Sequence, residues 1–305
     1  MIRLKKIFAF IIYQCSIGSW FYNFLVKFVL LRLKFKGYDI SVLKANGEYK
    51  NKFLGKRVFI IGNGPSLKNL DFSVLANEYV ATCNCIMIHP KFKELKSNFY
   101  FHVDLNGFGL LQNVGGSDGK KSINMMKSLE DTYVECLFVP LIAKDVVEKN
   151  AINRHLKVRY IQPYGRGWLF KGVKDIDLTS VTPGYANVVP FMIETMLYMG
   201  FSEIYLLGCD FTIIKGVIDI ALNKPLGNIH VYDEPDNGQE EGLKNVLRYR
   251  GLKDVIKETY EIMDDYKFLY EYSKLKRVKL YNLSEQTLID SIPRMNLKDL
   301  KFDVK

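Results

Sequence analysis

The chain has 305 residues, 48% hydrophobic and 25% charged, with a formal charge of +10. That composition excludes a disordered or low-complexity polypeptide and fits one large folded domain, with at most a small appendage. Of the net +10, +7 sits in residues 1–36, which hold Arg3, Lys5, Lys6, Lys27, Arg32, Lys34 and Lys36 and no acid; the rest is nearly balanced, so a general nucleic-acid-binding surface is not indicated.

In chain order, the first feature is an uncharged run from Ile7 to Val26, rich in Phe, Ile, Trp and Tyr and long enough to span a bilayer. Gln14, Ser16, Gly18, Ser19 and Asn23 interrupt it, and from Trp20 onward Asn23, Lys27 and Lys34 fall on one narrow helical stripe. Three readings follow: helices lying in the membrane interface with basic residues at the headgroups, a single spanning anchor, or amphipathic helices covering the protein's own core. The first two keep the body on the cytoplasmic face of the inner membrane. The stretch Tyr13-Gln14-Cys15-Ser16 offers no small-residue cleavage site for a signal peptide. Residues 1–40 therefore stand as a basic, hydrophobic, membrane-associating segment, and 41–305 as the main folded domain. Cys15, Cys83, Cys85, Cys136 and Cys209 are odd in number and show no C-x-x-C spacing, which speaks for a reducing compartment and against a disulfide framework or zinc site.

The body alternates. Strands are expected at Lys56–Ile61, Tyr79–Cys83, Asn98–Val103, Val134–Val139, Arg159–Gln162, Ile204–Leu207 and Val278–Tyr281. Helices are expected after Gly62-Asn63-Gly64-Pro65-Ser66, at Ala186–Met199, and from Leu252 to Lys274, where Val255, Ile256, Tyr260, Met263 and Tyr266 recur at helical spacing. This predicts an α/β fold with a doubly wound, mostly parallel Rossmann-like sheet and ligands at the carboxyl ends of the strands. Residues 213–252, rich in Gly and Pro, read as a lid excursion.

Gly62-Asn63-Gly64-Pro65-Ser66 is the most informative motif: its glycines admit a close anion, and Asn63 and Ser66 add donors, although it lacks the third glycine of a dinucleotide fingerprint and the lysine of a P-loop. An ordinary strand-to-helix turn is the competing reading. Asn84 ends the next strand, placed to read a ribose or base edge or simply to cap a turn. Thr182-Pro183-Gly184 opens another helix start suited to phosphate or ribose, and Asp210, closing a buried strand, reads as a loop anchor. His89, His102 and His155 read as surface or packing residues. His230 lies in the excursion, where a neutral imidazole can take a proton near neutral pH; Asp104 is the competing base. Asp175-Ile176-Asp177 has the form of a metal-binding pair but sits in a polar connection, so no metal site is assigned.

Taken together, the chain resembles the bacterial CMP-sialic acid dependent sialyltransferases of glycosyltransferase family 42. The likeness lies in Val58–Lys68, in Cys83-Asn84, in the Gly184 helix followed by Gly200–Phe211, and in a later His before a long helix and a Lys-Leu-Tyr strand. It implies that Gly62, Asn63, Gly64, Ser66 and Asn84 hold CMP and that a lid histidine, here His230, is the general base. It also implies an inverting, metal-independent reaction with no cofactor, the CMP-activated acidic sugar being the donor and a glycan or glycolipid the acceptor. The family's phosphate-holding tyrosine after Asp-Phe is Thr212 here, and its Thr-Ser-Gly is Thr182-Pro183-Gly184, so Tyr232 is the substitute candidate. Asn282–Arg294 also resembles the 6-hydroxymethylpterin diphosphokinase-like proteins, which transfer pyrophosphate from ATP with magnesium; that is the alternative enzyme. A nucleotide-sensing membrane protein on the same sheet is the non-enzymatic alternative. Partners thus comprise the donor, the acceptor and a membrane surface, without nucleic acid; a homo-oligomer stays open.

Overall fold

The computed structural model describes residues 17–110, 119–165, 175–227, 229–231 and 238–302. Eight parallel strands form one sheet: β1 (Arg57–Ile61), β2 (Tyr79–Cys83), β3 (Phe99–Phe101), β4 (Cys136–Pro140), β5 (Val158–Tyr164), β6 (Val181–Pro183), β7 (Glu203–Leu207) and β8 (Lys279–Asn282). Their order is β6-β5-β4-β3-β2-β1-β7-β8. The chain builds outward from β1 to the edge at β6, then returns to place β7 on the opposite side of β1, with Ile61 registered against both Thr82 and Leu207. The direction of winding reverses there, which makes the crevice outside the carboxyl ends of β1 and β7 the topological switch point of the sheet.

Both faces of the sheet are buried, as the continuous apolar strands require. Val58 and Ile60 of β1, Phe99 and Phe101 of β3, and Ile204 and Leu206 of β7 join one core; Phe59, Ile61, Tyr100, Tyr205 and Leu207 join the other. The first core is covered by α4 (Val188–Met199) and the C-terminal half of α6 (Gly238–Leu275). Asn187 caps α4 by accepting from Val189 N–H at 3.0 Å, and Gly200, at φ 85°, ends it. The second core is covered by α1 (Ile17–Phe35), α2 (Gly119–Ser128), α3 (Lys144–Lys149) and several short 3₁₀ turns.

The seven expected strands form; β6, a three-residue edge strand closed by Pro183, is an addition. The expected helix after Pro65 is replaced by two 3₁₀ turns, Pro65–Asn69 and Phe72–Leu75. Leu70 is extended, and Asp71 restarts the chain by accepting from Ser73 N–H at 3.0 Å, so helical hydrogen bonding never propagates. The excursion carries its own small core. α5 (Ile213–Ala221) packs on the first part of α6 through Val217, Ile229, Leu243 and Val255. Gly251, at φ 75° and ψ 158°, breaks α6 one residue before the expected helix start at Leu252. Among the described residues, no helix is long and apolar enough to cross a membrane.

Candidate functional site

Every strand from β1 to β7 ends in a single cleft of about 920 Å³ along the carboxyl edge of the sheet. Of the sequence-predicted residues, Gly62, Asn63, Gly64, Asn84, Asp104, Gly184 and His230 line it. Ser66 and Thr182 do not, and Tyr232 lies outside the described residues.

At the β1/β7 crevice two loops interlock. The carboxylate of Asp210 accepts the Ser66 N–H at 2.7 Å and the Ser66 hydroxyl at 2.5 Å, and Gly64 N–H donates to the Gly208 carbonyl at 2.7 Å. A Cβ on Gly62 would stand 2.4 Å from the Gly208 carbonyl oxygen, and one on Gly64 2.4 Å from Asp210 Oδ2. The glycines are thus required by loop-on-loop contact, and the Ser66 amide turns to Asp210 rather than outward from a helix start. Burial raises the Asp210 pKa and the Ser66 hydrogen bonds oppose that rise.

What the interlock holds in place is Asn63. Its carbonyl accepts Val231 N–H at 2.8 Å, joining the excursion to the loop beside His230, and its side-chain oxygen is buried with no hydrogen-bond partner. Asn84 behaves alike. It takes a left-handed φ of 51°, the Tyr100 hydroxyl donates to its carbonyl, and its side-chain oxygen is also buried and unpartnered. Buried acceptors without donors carry a desolvation penalty that a ligand supplying O–H or N–H groups relieves.

Asp104 caps a 3₁₀ turn by accepting from Asn106 N–H at 2.9 Å, and it lines the cleft after β3. Behind it His102 is 2% exposed, and burial pushes its pKa down to about 4, so it is neutral near pH 7. Gly184 meets the cleft, and a Cβ there would stand 2.6 Å from the Gly165 carbonyl oxygen. Thr182 faces away, toward the buried carboxyl of Glu194, which also meets the Tyr185 hydroxyl; these contacts fall short of ideal hydrogen-bond geometry. Burial raises the Glu194 pKa well above the usual carboxylate range.

Sequence reasoning missed several contributors to the walls, among them four that come from helices or their ends. Leu33 and Lys36 come from the end of α1 and the turn after it, Asn187 from the α4 cap, and Tyr266 from α6. Only the helix cap of Asn187 carried a local signal. Asp177 accepts from the Thr179 N–H at 2.9 Å and the Thr179 hydroxyl at 2.7 Å, and Asp175 pairs with Lys276 away from the cleft. Among the described residues no group of three or more His, Cys, Asp or Glu could hold a metal ion. The Asn282–Arg294 segment buttresses the crevice from behind. The Ser284 hydroxyl accepts Cys209 N–H at 2.9 Å, the Thr287 hydroxyl donates to the Cys209 carbonyl at 3.0 Å, and none of the segment's residues lines the cleft.

No family model and no curated protein matches the chain. Solved structures similar to it include the sialyltransferase CstII from Campylobacter jejuni in complex with a substrate analogue, cytidine-5'-monophosphate. The identity is 19% over 79% of this chain and 85% of that one, with a TM-score of 0.44. Another is the sialyltransferase CST-II in complex with trisaccharide acceptor and CMP, at 19% identity over 81% of this chain and 89% of that one, TM-score 0.42. At these values the likeness assigns no residue and no activity to this chain.

Proposed function

We propose that the protein is a glycosyltransferase that moves an acidic sugar from a CMP donor to a glycan or lipid-linked acceptor, with inversion and without a metal ion. The observation that carries the reading is the pair of buried, unpartnered side-chain oxygens of Asn63, at the topological switch point, and of Asn84, at the end of the neighbouring strand β2. A ribose hydroxyl and the exocyclic amine of cytosine are donors of the kind these acceptors lack. The motif resemblance around Val58–Lys68 and Gly200–Phe211 points the same way.

In this reading CMP lies over the β1 and β2 ends, and the sugar extends along the cleft between Asp104 and His230. The acceptor hydroxyl attacks the anomeric carbon from the face opposite the phosphate. The new C–O bond forms as the bond to CMP breaks, CMP leaves as a phosphate monoester, and the hydroxyl proton passes to His230. Asp104 orients the acceptor. Acceptor-dependent release of CMP from a CMP-activated acidic sugar, followed in EDTA, tests the proposal; no release from any such donor contradicts it.

A further inference from the structure

The helix α1 has apolar side chains on two opposite sides. On the inner side Val29 is 4% exposed, and Leu30 and Leu33 pack on the sheet's second core. On the outer side Phe24, Phe28, Leu31 and Phe35 are 56%, 52%, 53% and 84% exposed. At about 100° per residue these four positions fall within roughly 60° of arc. On the same wheel Lys27 and Lys34, both exposed, run along one flank of the row and Arg32 along the other.

We propose that α1 lies flat on an anionic bilayer surface, with Phe24, Phe28, Leu31 and Phe35 entering the acyl boundary and Lys27, Arg32 and Lys34 at the headgroups. Charge selects lipid over a second copy of the chain. Residues 1–36 contain no acid, so two such helices placed face to face would bring six cations together with no carboxylate between them. An anionic surface neutralises all three at once. The same helix reaches the cleft: Leu33 lines it, as do Lys36 and Tyr38 just beyond the helix end. Docking on the outer row therefore sets that edge of the cleft beside the lipid surface. Resting on the glycosyltransferase reading, this identifies the acceptor as one presented from the membrane, a lipid-linked glycan rather than a free sugar.

The test uses the full chain and co-sedimentation with phosphatidylcholine vesicles, with or without roughly a third phosphatidylglycerol. Two variants are compared with wild type, Phe28→Glu/Phe35→Glu and Lys27→Glu/Lys34→Glu, and CMP titration and light scattering are run on each. Wild type should bind the anionic vesicles, and both variants should lose at least about tenfold in vesicle affinity with CMP affinity unchanged. Failure of wild type to bind, or binding by both variants at wild-type strength, overturns the proposal. So does a wild-type dimer that Phe28→Glu/Phe35→Glu splits while vesicle binding persists. Vesicle binding that behaves as expected in a protein that binds no CMP upholds the docking of α1 and removes the glycosyltransferase reading alone.

Discussion

Replacing Asp210 by alanine separates a loop anchor from a reacting group. Asp210 is 1% exposed and accepts both the N–H and the hydroxyl of Ser66. Hydrogen bonds to a charged acceptor contribute about 1.5–3 kcal/mol each, so the pair is worth on the order of 3–6 kcal/mol. Against this stands the desolvation that raises the Asp210 pKa, which its removal relieves. The net destabilisation by Asp210→Ala should be about 2–4 kcal/mol. Ser66→Ala removes only the hydroxyl bond and should cost about 1–2 kcal/mol, and because both changes break the same bond, the double variant should be little worse than Asp210→Ala alone. Denaturant unfolding at pH 7 followed by far-ultraviolet circular dichroism measures all four proteins. CMP affinity should fall in both Asp210 variants, since the anchor holds the loop that carries Asn63. An Asp210→Ala protein within about 0.5 kcal/mol of wild type, or strictly additive costs, would refute the anchoring argument.

Burial lifts the Glu194 carboxyl above its ordinary pKa, so its contribution to stability is full below about pH 4.5 and is lost as the pH rises toward and through the folded value. Glu194→Gln, uncharged throughout, should flatten that slope and raise Tm at pH 8; parallel pH profiles for the two proteins contradict it. His230→Ala should lower turnover about 100- to 10,000-fold while CMP affinity stays within a few fold. Full turnover in His230→Ala alongside a dead Asp104→Ala enzyme would move the general base to Asp104.

The strands were legible because burial on both faces leaves uninterrupted apolar runs. The strand expected at Lys56–Ile61 forms over Arg57–Ile61, and the one expected at Tyr79–Cys83 forms over those same residues. β6 was not, since three residues ending in Pro183 at a sheet edge give no periodic signal. The helix expected after Pro65 failed on a local competition, with Asp71 capping a new turn before the first could propagate. α5 was hidden by Gly216, which reads as a loop residue but sits where a Cβ would meet Leu226, Ile229 and Leu243 side chains at 2.9–3.1 Å. The Gly62-Asn63-Gly64 loop was correctly placed at a strand end, but the demand for its glycines comes from Gly208 and Asp210, about 145 residues away and beyond the reach of a local motif. The same holds for Leu33 and Lys36. Their place in the cleft depends on how α1 crosses the sheet, and the charge pattern of residues 1–36 carries no trace of it.

The proposed function stands or falls on CMP lying over the carboxyl ends of β1 and β2, between Asn63 and Asn84. Calorimetric titration of the full chain with CMP, ATP and UDP-sugars, in EDTA and then in magnesium, tests it most directly. CMP should bind in EDTA, more tightly than ATP or any UDP-sugar, and Asn63→Ala and Asn84→Ala should each weaken it by about tenfold, the loss of one or two ligand hydrogen bonds. Tight ATP binding that disappears in EDTA, with no measurable binding of CMP, would contradict the account and favour pyrophosphate transfer from ATP.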